Sequence, residues 1–142
     1  MPHFSSRSIA RLNQCNYQLV HLFNVVVTHF DCAILEGYRG KEDQRTYFLT
    51  NRSKVRFPDS PHNTIPSNAV DVAPCINGKA SYNIDHCKYF AGVVMGIAAT
   101  MSIDVRWGGN WDRDEEVITD QQFQDLVHFE LVTEDVQKTN NI

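Results

Sequence analysis

SPHNTIPSNAVDVAP, residues 60–74, sets a histidine, His62, in a proline-punctuated loop and an aspartate, Asp71, inside a short run that reads as a strand over 69–73. A strand's period of two puts Ala69, Asp71 and Ala73 on one face and Val70 and Val72 on the other. A carboxylate among small and β-branched residues needs a partner. Its small neighbours leave open space in front of it, as a metal or a substrate requires. The partner is offered far downstream by DLVHFE, residues 125–130. There His128 and Glu130 share a face of an alternating strand predicted over 127–132, and Asp125 stands one turn before His128 if that segment is helical.

The rest of the chain supplies a scaffold. Its 142 residues predict one domain over residues 1–133 with a frayed tail over 134–142, and 42% hydrophobic with 21% charged residues is ordinary for a globular protein. A net charge of −4 with no basic patch argues against nucleic acid as a partner. Cys15, Cys32, Cys75 and Cys87 form no C-x-x-C pair and read as reduced, mostly buried thiols. His86-Cys87 with Cys75 matches no common structural zinc spacing. The N-terminal residues lack a signal-peptide pattern and the longest mainly apolar run, 89–101, is too short to span a bilayer, so the expectation is a protein made in the cytoplasm.

Apolar residues from Ile9 to Phe30 recur at helical spacing, predicting one long amphipathic helix over 8–30 with Ser8 as its cap and with His21 and His29 outside any site. A strand is predicted over 31–36, a break at 37–40 and a helix over 41–49 with acids in its first turn. Arg39, at the strand end, could grip a substrate carboxylate or stabilise an oxyanion, or it could be a surface arginine paired with Glu36 or Asp43. A polar turn at 77–83 precedes the most buried helix, 84–101, and a short strand over 102–107. Trp107 and Trp111 flank two glycines and serve as core plugs or as walls of a cleft, the glycines favouring the cleft. An acidic loop at 112–119 reads as solvated surface rather than a calcium site. One or two helical turns are predicted over 120–126. The architecture expected is α+β, an antiparallel sheet packed by helices.

A hydrolytic zinc takes three ligands from His and Asp/Glu and leaves a fourth position for water. His62, Asp71 and His128 supply two neutral imidazoles and one carboxylate. A second carboxylate must carry the proton from the attacking water to the leaving amine. Asp125 and Glu130 both stand where they could reach it.

Ser60-x-His62 with Ala69-Val70-Asp71, followed by Asp125-x-x-His128-Phe129, resembles the zinc D-Ala-D-Ala carboxypeptidase and phage L-alanyl-D-glutamate endopeptidase superfamily. This VanY-like superfamily shares its fold with the Hedgehog signalling domain. Glu36-Gly37-Tyr38-Arg39 with Gln44 resembles its early substrate-side motif, and the segment 106–111 one common in its phage lysis members. The likeness runs from Leu22 to Val132.

The resemblance implies a single zinc ion held by His62, Asp71 and His128, with Asp125 as catalytic acid/base. It implies Arg39 orienting substrate or stabilising the oxyanion, Ser60 bracing the site and Glu130 holding an imidazole in its tautomer. Tyr38, Gln44, Trp107 and Trp111 belong to its substrate side or its surroundings. The implied substrate is a peptidoglycan stem peptide, cut as an L-Ala-D-Glu endopeptidase or a D-Ala-D-Ala carboxypeptidase. The implied setting is a monomeric phage-type endolysin that collects in the host cytoplasm and reaches the wall after release. A non-catalytic zinc-binding recognition module is the alternative.

One departure stands out. The family motif S-x-H-x-x-G-x-A-x-D has a glycine and a His-to-Asp interval two residues shorter. Loop length costs little, about 0.6 kcal/mol per doubling, so the extra residues are expected to bulge away while both ligands keep their places.

Overall fold

A mixed helical and antiparallel-sheet architecture is described for residues 2–111, 113 and 125–133 in a computed structural model. The chain runs α1 (Ser6–Leu12), α2 (Tyr17–His29), β1 (Cys32–Glu36), α3 (Lys41–Leu49), a 3-10 turn (Pro61–Asn63), β2 (Ala69–Ile76), β3 (Lys79–Ala80), α4 (Ile84–Thr100), β4 (Val105–Trp107) and β5 (His128–Leu131). The sheet order is β1-β2-β5-β4, all antiparallel, with β3 as a short hairpin partner of β2.

Strand alternation divides this sheet into a dry face and a reactive face. Val70, Val72, Phe129, Leu131, Val105 and Trp107 point into a core closed by α2 and α4. Phe129 is its pivot, edge-on to Phe23 of α2 at 5.5 Å and to Phe90 of α4 at 6.2 Å. Register then places Asp71 opposite His128 and Ala69 opposite Glu130, with Arg106 opposite Glu130 on the far side. Anchoring Phe129 in the core therefore aims both of its neighbours, His128 and Glu130, out of the other face.

Glu36 reaches that face by an irregularity. Ile34 pairs with Val72 on the core side, and normal alternation would send Glu36 the same way. The register instead slips between Ile34 and Glu36, and Glu36 stands opposite Asp71. A β-bulge re-aims side chains in this manner.

Several expectations are corrected. The single helix over 8–30 is two helices, because the chain at 14–16 pairs with Ser67: the Asn16 N–H donates to the Ser67 carbonyl (2.8 Å) and the Ser67 N–H to the Gln14 carbonyl (2.9 Å). The Asn16 side chain then caps α2 by accepting from Gln18 N–H. Ser5, not Ser8, caps α1. Ser8 is buried, and its Oγ accepts the Ile34 N–H (3.0 Å) while Arg11 donates to the Ile34 carbonyl, so α1 covers the open edge of β1.

Strand β2 continues through Pro74, whose carbonyl accepts from Ser81 N–H, because proline removes only the donor from a ladder. The turn at 77–83 contains β3. Helix α4 ends with Ser102 in the left-handed region (φ 57°), so β4 begins later than predicted. Asp112 and residues 114–124, with most of the predicted acidic loop and helical turns, and the tail over 134–142 lie outside the described residues.

Candidate metal centre

His62, Asp71 and His128 converge on the reactive face. His62 Nε2 lies 3.1 Å from Asp71 Oδ1 and 3.2 Å from His128 Nδ1, and His128 Nδ1 lies 3.3 Å from the same Asp71 oxygen. The outer nitrogen of each ring is engaged elsewhere. His62 Nδ1 is 2.7 Å from the Gly37 carbonyl and His128 Nε2 is 2.8 Å from Glu130 Oε1. Both partners are acceptors, so each outer nitrogen carries the proton and donates. The inner nitrogens are then two bare lone pairs facing each other across 3.2 Å beside a carboxylate. Such a set repels itself unless a cation or a proton sits among its atoms. These three residues could hold a metal ion.

Without a metal, a proton takes that place. Burial alone would keep His128 neutral, but hydrogen bonds to Asp71 and Glu130 and their charges outweigh it and lift the imidazole pKa to about 10. Burial pushes Asp71 up, yet the charge of His62 and hydrogen bonds from both imidazoles hold it well below the usual carboxylate range. Glu130 also ends below its ordinary value, burial being overcome by His128 and Arg106.

The elements supporting the three residues are specific. Ser60 caps the 3-10 turn, its Oγ accepting the His62 N–H, and Asn63 returns its side chain to the Ser60 N–H. The His62 carbonyl accepts the Arg39 N–H at 2.8 Å. Between His62 and Asp71, the residues Thr64, Ile65 and Pro66 are exposed, Ile65 by 82%, while Ser67 and Ala69 beyond them are fully buried.

Arg39 is 7% exposed. Its Nε and Nη2 donate to Glu36 Oε1, its Nη1 donates to Gln44 Oε1 at 3.1 Å, and Nη2 is 3.8 Å from Asp71 Oδ2. Of the two readings open from sequence, the pairing with Glu36 is present, and so is a place at the cleft wall. Gln44 is completely buried and also receives the Asn63 side-chain amide, so it positions Arg39 rather than facing solvent.

Asp125 lines two cleft lobes, of about 830 and 480 Å³, the larger also lined by His62 and His128 and the smaller by Asp71. Burial raises its pKa first and the Asp71 charge raises it further, against the opposing pull of His128 and His62. Its backbone is clamped: Asp125 N–H donates to the Gly108 carbonyl, and His128 N–H donates back to the Asp125 carbonyl. The clamp needs Gly108, because a Cβ there would sit 2.1 Å from the Asp125 carbonyl oxygen.

Trp111 lines the larger lobe with its ring 5.3 Å from that of His128. Trp107 does not line the cleft. It is buried in the core and its indole N–H holds the Leu126 carbonyl at 2.9 Å, so Gly109 accommodates its ring, as Gly108 accommodates the Asp125 backbone, instead of a ligand. Tyr38 is outside the cleft lining too. Its N–H is tied to Gln14 Oε1 and its ring stands beside Gly40.

Sequence reasoning gave Arg106 no role at the site. It donates to Glu130 Oε2 at 3.2 Å and so fixes the residue that fixes His128. Alternation in the 102–107 strand would have put it on the reactive face, had the β4–β5 pairing been known. Among the described residues, His62, Asp71 and His128 are the one group of this kind, and Cys75, His86 and Cys87 form none.

The model of a family described as phage L-alanyl-D-glutamate peptidase matches residues 1–132. The crystal structure of the Serratia marcescens L-Ala D-Glu endopeptidase ChiX is similar at 25% sequence identity, with a TM-score of 0.76 over 94% of this chain and 93% of that one. No curated protein sequence matches significantly.

Proposed function

The chain belongs to the phage L-alanyl-D-glutamate peptidase family, and we propose from that premise that it is a zinc peptidase hydrolysing the L-Ala-D-Glu amide bond of peptidoglycan stem peptides. The observation that carries the metal is the pair of bare imidazole nitrogens beside one carboxylate oxygen, mutually 3.1–3.3 Å apart. Ligand atoms around a tetrahedral zinc with bonds of about 2.0–2.1 Å stand about 3.3 Å apart. Two neutral imidazoles and one carboxylate suit zinc, and leave a bound divalent ion with net positive charge.

His62, Asp71 and His128 would hold the ion, which when bound acidifies water and polarises the amide carbonyl. Asp125, a carboxylate beside the ligand group, takes a proton from the attacking water. It delivers that proton to the amine nitrogen as the carbon–oxygen bond forms and the carbon–nitrogen bond breaks. Arg39, in the cleft lining and 3.8 Å from Asp71, would orient substrate or donate to the developing oxyanion. Glu130 and Gly37 hold the two imidazoles in the required tautomers.

The family and the structural likeness support the endopeptidase reading over the D-Ala-D-Ala carboxypeptidase. The family matched over residues 1–132 is described by the L-alanyl-D-glutamate bond, and the similar Serratia structure is of an L-Ala D-Glu endopeptidase, which favours that bond over D-Ala-D-Ala. No described helix is long and apolar enough to cross a membrane. A monomeric phage endolysin, collecting in the host cytoplasm and acting on the wall after release, is the setting this reading favours.

The test is mass spectrometry of muropeptides from purified sacculi, with metal analysis of the same protein. New N-terminal D-glutamate, one zinc per chain and arrest by chelator are expected. An unchanged stem peptide with zinc present would leave the recognition module standing instead.

A further inference from the structure

The segment after α3 carries a cation that the mechanism above does not use. Helix α3 ends with Asn51 in the left-handed conformation (φ 61°). Its N–H donates to the Phe48 carbonyl at 3.2 Å, and the Arg52 N–H donates to the Tyr47 carbonyl at 2.8 Å. This pair of bonds is a Schellman closure, which fixes where the chain leaves the helix. It returns the Arg52 side chain over α3, with its guanidinium carbon 4.0 Å from the Tyr47 ring centroid. The Arg39 guanidinium carbon is 3.9 Å from the same centroid. Both guanidiniums therefore pack against the Tyr47 ring.

The two arginines differ in what they have left to offer. Arg39 is buried and its charge is matched by Glu36. Arg52 is exposed, and among the described residues no carboxylate lies within ion-pair distance of it. Stacking holds the plane of a guanidinium without consuming its N–H donors, which leaves a flat fork for two oxygens. Arg52 also shares with Arg39 and Asp125 the property of lining both lobes of the cleft. It therefore borders the same cavities as Asp125, the residue assigned the proton transfer.

A D-glutamate that is joined onward through its side-chain carboxyl keeps a free α-carboxylate, one carbon from the nitrogen released on cleavage. We propose that Arg52 is a specificity-determining residue that binds this free α-carboxylate. Arg39, already matched by Glu36, packs against the Tyr47 ring on which Arg52 rests. The inference depends on the peptidase reading for its substrate but not for its binding test.

The experiment compares L-Ala-γ-D-Glu-L-Lys with the same peptide bearing a carboxamide at the D-Glu α-position. Both are assayed on the full-length metal-loaded protein and on R52Q and R52K. Wild type is expected to prefer the acid by at least about tenfold in kcat/KM, chiefly through KM, as a charge-assisted pair implies. In R52Q the preference should fall toward one, and R52K should recover part of it. An R52Q variant with the wild-type preference overturns the proposal. In parallel, calorimetry follows binding of γ-D-Glu-L-Lys, which needs no turnover. If wild type cleaves neither peptide, the peptidase reading fails, and calorimetry still decides Arg52. Binding lost in R52Q supports it; equal binding by both proteins, or none, overturns it.

Discussion

His128 and Glu130 are two residues apart on one strand face, and the 2.8 Å bond between Nε2 and Oε1 determines which nitrogen of the imidazole looks into the metal group. Arg106 secures Glu130 in turn. Removing the carboxylate leaves Arg106 without that partner and releases the tautomer. Glu130→Ala is expected to weaken metal affinity by about 10–100-fold, read by titration against a competing chelator. Unchanged affinity would refute the orienting role.

Protons and metal compete for one space, which gives a pH signature. The His128 pKa in the metal-free fold, about 10, lies above its ordinary value of 6.5. Its contribution to metal-free stability is therefore complete below about pH 6.5 and is lost as pH rises through 10. Asp71, depressed, contributes above its ordinary 3.8 and loses this as pH falls toward its folded value. Thermal melts in chelator should show stability declining from pH 6.5 to 10. Zinc uptake at neutral pH should release protons, with a buffer-dependent calorimetric heat. Melting temperatures flat over that range would contradict the buried pairing.

Asp125 lines both cleft lobes and is expected to move the proton without holding the ion. Asp125→Ala should lower kcat by about 10²–10⁴-fold while one zinc per chain remains. A variant that loses metal and activity together would make Asp125 a ligand and remove its assigned role.

Gly108→Ala tests the clamp behind it. The added Cβ meets backbone rather than a flexible side chain, 2.1 Å from the Asp125 carbonyl oxygen and 2.9 Å from its carbonyl carbon. The Asp125 turn must shift, at about 1–3 kcal/mol of stability and with a fall in activity larger than any loss of metal. Denaturant unfolding beside peptide hydrolysis measures both. Full activity would mean the clamp is dispensable.

Much of the site was legible because alternation is a local property. Asp71 between Ala69 and Ala73, and His128 two residues from Glu130, declare their shared faces without knowledge of any neighbour. The family motifs added which faces meet. The helix over 41–49 was equally local, its first turn acidic and its start set by Gly40. Helix 8–30 misled for the opposite reason: its periodicity continues through Asn13–Asn16, but the backbone there is claimed by Ser67, more than fifty positions away.

What the chain by itself determined, then, is the inventory and polarity of the site: three ligand-type side chains, an acid, and strand faces that turn them away from valines. Tertiary structure alone decided how they are held. The slip in β1 that aims Glu36 at Arg39, the burial of Trp107 in place of a cleft role, the tethering of Glu130 by Arg106 and the stacking of Arg52 on Tyr47 all depend on pairings between distant segments. A period can be read within one element, whereas a register or a closing contact exists only once two elements have met.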